Sequence, residues 1–172
     1  MQLPLFAAIA ALVATGALAQ TPALSGDPPC AGDIHRAFDF WIGKWDVFVP
    51  DGTKAGENII ASEENGCLLV ERWKGAGGST GQSYNFYDHA QKKWRQVWIS
   101  PGTTIDYAGG LNAAGEMVLE GTIGYSGGAT APFRGTWTKL GGGDVRQHFQ
   151  QYNAETETWD DWFVGIYRKK AQ

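Results

Sequence analysis

The sequence predicts an all-β fold: an up-and-down antiparallel barrel of about ten strands, preceded by a short helix. Three observations carry that expectation. Glycine is abundant, with 24 residues in a chain of 172, while β-branched and aromatic residues recur in short runs. Turn-forming breaks follow one another along the chain, among them Pro50-Asp51-Gly52, Asn65-Gly66, Pro101-Gly102 and Gly141-Gly142-Gly143. After Gly43 no apolar pattern of period 3.6 is sustained, so crossover helices have no place. Short strands joined by tight turns suit a barrel or a sandwich, and closure into a barrel pairs every strand edge.

Residues 1–19 carry no charged side chain and end in Ala17-Leu18-Ala19, the small-x-small pattern that signal peptidase cuts. They read as a signal peptide, which makes the protein periplasmic or secreted. A transmembrane anchor is the alternative, but the apolar run is shorter than the ~20 residues a bilayer needs. Residues 20–32 form a Pro/Gly/Ser linker, and 33–172 form the barrel domain. Asp33 is placed to cap a short helix through Ile34-His35-Arg36-Ala37-Phe38 that stops before Gly43. Strands are expected at 45–50, 56–64, 67–74, 81–88, 93–100, 103–109, 115–122, 131–139, 143–152 and 158–168. Two of the hairpins share a pattern, with Tyr87-Asp88 leading to Trp94 and Tyr152-Asn153 leading to Trp159. Each predicts a polar turn started by Asp or Asn, with Tyr and Trp packed across it.

The net charge of −4 is a poor match for phosphate backbones and for an anionic membrane surface, so neither nucleic acid nor membrane is expected as a partner. Two cysteines, Cys30 and Cys67, in an exported chain favour one disulfide over two buried thiols or a metal pair. His35, His89 and His148 lack metal-ligand spacing, and no metal or cofactor is expected. His148 would serve as a haem ligand only if strand 143–152 aimed it into the barrel; a satisfied or surface histidine is the simpler reading. No Gly-x-Ser-x-Gly elbow is present, and the Gly-rich stretches lack the Lys-Ser/Thr of a phosphate cradle.

The strands with the most chemistry have no cleanly apolar face. Leu69, Glu71 and Trp73 alternate onto one side of 67–74, Ser83 and Asn85 onto one side of 81–88, and Gln96 and Trp98 onto one side of 93–100. A barrel around a partly polar cavity accounts for this. Glu71, Trp73, Ser83, Asn85, Gln96 and Trp98 are then the candidate ligand-binding residues, and a small apolar or amphipathic molecule is the expected partner. Two other readings stay open. Glu71 could work as an acid or base within the cavity, or the barrel could be filled by its own side chains in a structural or partner-binding exoprotein. At the seam between first and last strands, Trp45 is expected to be structural, with Arg168 stacked on it as a cation–π closure.

Phe38-Asp39-Phe40-Trp41-Ile42-Gly43-Lys44-Trp45-Asp46-Val47 resembles the opening of a family of small secreted bacterial proteins without an assigned function, lipocalin-like or calycin-like in the broad sense. The similarity extends through Gly66-Cys67, Glu71-Arg72-Trp73, the segment from Gly81 to Asp88, Lys93-Trp94-Arg95-Gln96-Val97-Trp98 and Tyr167-Arg168. The resemblance implies a barrel and a cavity, and no particular activity or cofactor.

Overall fold

The computed structural model describes residues 29–170. The expected signal peptide and the linker up to residue 28 lie outside the described residues. A single helical turn, α1 (Asp33–Arg36), and a 3-10 turn (Asp39–Trp41) lead into ten strands. They are β1 (Gly43–Phe48), β2 (Lys54–Glu63), β3 (Leu68–Gly75), β4 (Thr80–Asp88), β5 (Lys93–Ser100), β6 (Thr103–Leu111), β7 (Met117–Tyr125), β8 (Thr130–Lys139), β9 (Val145–Asn153) and β10 (Thr158–Lys169). Each pairs antiparallel with its chain neighbours, and β10 returns to β1, so the barrel is closed.

Each of the ten expected strands is present, with ends shifted by a few residues. The reason is local. The side-chain period of two and the turn residues act over a few positions, and the period is interrupted only by register shifts in the β1–β2 and β9–β10 pairs among the described strands. The two look-alike hairpins share their geometry: Asp88 Oδ1 accepts from the amides of Ala90 and Gln91, and Asn153 Oδ1 accepts from those of Glu155 and Thr156. Tyr87 stands opposite Trp94 and Tyr152 opposite Trp159. The second pair packs at 5.5 Å between rings, whereas Trp94 turns to Phe38 and donates its indole N–H to the Ile34 carbonyl.

One end of the barrel is closed by the segment before β1. Phe38 and Trp41 are fully buried, stacked at 5.1 Å, and Phe38 meets Trp94 and Trp137 edge-on. Cys30 and Cys67 form the disulfide, which ties this segment to the β2–β3 connection. Arg36 fastens the same connection by donating to the Gly66 carbonyl at 2.6 Å. The helix cap differs from expectation. Gly32 occupies the cap without a side-chain bond, and Asp33 lies one position inside the first turn.

The seam also corrects the sequence reading. Trp45 faces inward, donates its indole N–H to the Trp41 carbonyl, and stands opposite Lys169. Arg168 pairs with Asp46 and so lies on the outer face, over the Phe48 ring at 4.9 Å. The cation over Trp45 is Lys169, at 5.6 Å. In an antiparallel pair, direct partners share a face, so a register offset of one residue exchanges the two cations. On the outer face of the seam, Lys170 and Lys54 bridge to Glu57 and Asp46, and their hydrogen bonds, then their charge, hold the Glu57 carboxyl down at about 2.

Candidate functional site

The other end of the barrel is open. A cavity of about 550 Å³ enters between the β3–β4 and β5–β6 turns and descends to the middle of the barrel. Its walls are Trp73, Trp98, Ile105, Phe149 and Phe163, with Trp162 on the rim. Its floor is polar, made by Glu71, Gln147 and Tyr167.

Glycines make this space. A methyl group on Gly56 would meet the Trp73 ring at 2.7 Å, and one on Gly81 would collide with the Trp98 ring. Both indoles therefore press close against the neighbouring strand at its glycine, in the space a side chain would fill.

The floor is part of one belt of hydrogen bonds across the interior. Tyr167 donates to Gln147 Oε1 at 2.8 Å and accepts from Asn58 Nδ2 at 3.2 Å. Asn58 Nδ2 also donates to Glu71 Oε1 at 2.6 Å, and the Ser83 hydroxyl donates to Glu71 Oε2 at 2.6 Å. Asn85 then donates to Ser83 Oγ, Gln96 donates to Asn85 Oδ1, and the Tyr107 hydroxyl donates to Gln96 Oε1. A polar belt at the centre of a small barrel is tolerable because its members, Asn58 Oδ1 apart, satisfy one another.

Glu71 is the group with the most unusual environment. It is 3 % exposed, and burial pushes its carboxyl up to about 7 against the opposing hydrogen bonds from Ser83 and Asn58. Near neutral pH it thus exists in both forms. Asn58 suits either one. Its Nδ2 donates to the carboxylate, while its buried Oδ1 has no partner and could accept the carboxyl proton after a half-turn of the amide. Burial, and then the charge of Glu71, raise the Tyr107 and Tyr167 hydroxyls well above the ordinary phenol value, so both remain neutral donors.

The six candidate residues do converge inside the barrel, but they divide. Glu71, Trp73 and Trp98 line the cavity, whereas Ser83, Asn85 and Gln96 sit in the belt and are absent from the lining. Sequence reasoning missed Asn58, Tyr107, Gln147 and Tyr167 in the belt, and Phe149, Trp162 and Phe163 in the walls. For Gln147 and Phe149 a signal existed, since they alternate with Val145 along β9. For Trp162 there was none. The β9–β10 register shifts between Asp161 and Phe163, and this bulge sends two consecutive aromatics inward.

His148 takes the opposite face from Gln147 and Phe149 and bonds Asp161 Oδ1 at 2.6 Å on the outside, so it does not point at the cavity. Among the described residues, no group of three or more His, Cys, Asp and Glu is placed to hold a metal ion. No helix among them is long and apolar enough to cross a membrane.

A scan against protein-family models finds no match, and neither does a search of the curated proteins.

Proposed function

We propose that this is an exported, lipocalin-like barrel that captures a small amphipathic molecule, apolar body against the aromatic walls and polar end on the floor. The observation that carries the reading is the cavity itself. Its volume of about 550 Å³ lies within the range of small-molecule sites, and its few polar groups converge at one end. Trp73 and Trp98 supply flat apolar area, and the groups that orient the ligand are Glu71, Gln147 and Tyr167. The disulfide is in keeping with an oxidising compartment.

Titration with Nile red, a neutral dye that brightens in apolar surroundings, tests this. The protein is expected to bind it, and Ala55→Trp, which adds an indole to the cavity wall, is expected to weaken binding by about tenfold or more. A dye that stays dark, or one that binds the variant equally well, would refute the reading.

A second reading, acid–base chemistry by Glu71, draws support from its carboxyl poised at about 7. It requires turnover that disappears with Glu71→Gln.

A further inference from the structure

The charge inventory of the cavity narrows the ligand class. Among the described residues, Glu71 is the one acidic group in the lining, and no Lys, Arg or His joins it there. A fatty acid or other carboxylate would enter without a counter-charge and end against an acid, so anions are disfavoured. Glu71 has capacity to spare: each carboxylate oxygen receives a single protein hydrogen bond and has a second lone pair. Above it, Trp73, Trp98, Phe149 and Phe163 line the cavity with aromatic rings, the type whose negative quadrupoles attract organic cations.

Resting on the reading of the barrel as a small-molecule site, we propose that its ligand is an amine: an ammonium group that reaches the Glu71 carboxylate on an apolar body held by the aromatic walls.

Proton linkage follows. The groups facing Glu71 are Asn58 from β2, Ser83 from β4 and Tyr167 from β10, with Tyr107 from β6 coupled through its charge, and none of these is ionised at neutral pH. An arriving ammonium favours the carboxylate, so the carboxyl proton passes to solvent as the ion pair forms. With Glu71 at about 7, roughly half a proton should leave per amine bound at pH 7.

The test uses three compounds with one ring system, tryptamine, tryptophol and indoleacetate, as competitors of Nile red. Calorimetry of tryptamine in two buffers of different ionisation enthalpy reads the proton. Tryptamine is expected to displace the dye at least about tenfold better than the other two and to release a proton fraction. Glu71→Gln is expected to remove that preference. If the alcohol or the acid competes as well as the amine, if none of the three competes, or if no proton is released, the amine assignment is overturned while the cavity reading stands. If Nile red itself fails to bind, the cavity reading falls with it.

Discussion

At the level of single residues, Glu71 carries a consequence for stability that does not depend on any ligand. Its carboxyl stands at about 7 in the fold against about 4.5 in the unfolded chain. Between those values the native state holds a proton that the unfolded state has released, so stability falls as pH rises. Integrated over the interval, the loss is on the order of 3 kcal/mol, complete above about pH 7 and absent below about pH 4.5. Glu71→Gln should remove this component, because its amide can meet Ser83 and the unpartnered Asn58 Oδ1 in a neutral state at every pH. Urea denaturation from pH 4 to pH 8 checks it: wild-type stability should decline relative to the variant, and parallel profiles would refute a raised carboxyl. Gly43 offers a second residue-scale prediction. A methyl group there would meet the Trp45 indole at 3.2 Å, inside a fully packed end of the barrel. Gly43→Ala should therefore cost about 1–3 kcal/mol, from a side chain at φ +155° together with the tight contact, read as a lower denaturation midpoint.

At the level of elements, two devices decide what the barrel can do, and they differ in how visible they were. Of the closing segment only Trp45 was legible, as a structural residue; burial of Phe38 and Trp41 as the closure of one barrel end was not. Trp41→Ala should cost about 3–5 kcal/mol through the void left among Phe38, Trp137 and Tyr167. The β10 bulge was not legible, because an extra residue in one strand shows only against its partner's register. Strand positions come from neighbours a few residues away, whereas the belt joins Asn58 to Tyr167 and Gln147 to Tyr167 across a closed sheet. Which residues meet there depends on the stagger of all the strands together, and single-strand alternation cannot supply it. The same limit misplaced Arg168, where one residue of register separates the inner from the outer face. Deleting Trp162 should restore simple alternation, with Asp161 outward and Phe163 inward. The expected outcome is a folded barrel by circular dichroism with several-fold weaker Nile red binding, since the rim loses its indole. Collapse of the β-spectrum would instead show that the bulge is needed for closure.

At the level of the whole molecule, the barrel is asymmetric along its axis, and the asymmetry separates stability from capture. The packing of Phe38 and Trp41 on Trp137, the disulfide and the Arg36 bond to Gly66 all lie at the closed end. The cavity begins on the far side of the hydrogen-bonded belt, whose side chains are held from several strands at once. The belt stands between the closed end and the site, while Trp137 touches both Phe38 at the closed end and Phe149 in the cavity wall. The disulfide is the cleanest lever. It joins residues 37 apart in sequence, and constraining a loop of that length in the unfolded chain contributes about 4 kcal/mol in the chain-entropy model. Replacing Cys30 and Cys67 together by Ser should lower unfolding free energy by up to about that amount, measured in urea, and shift the melting temperature down. Nile red affinity, measured well below the new melting temperature, should change by less than about twofold, because neither cysteine lines the cavity. Weakened capture by a still-folded double variant would mean that the two ends are coupled, through the belt or through Trp137 between Phe38 and Phe149.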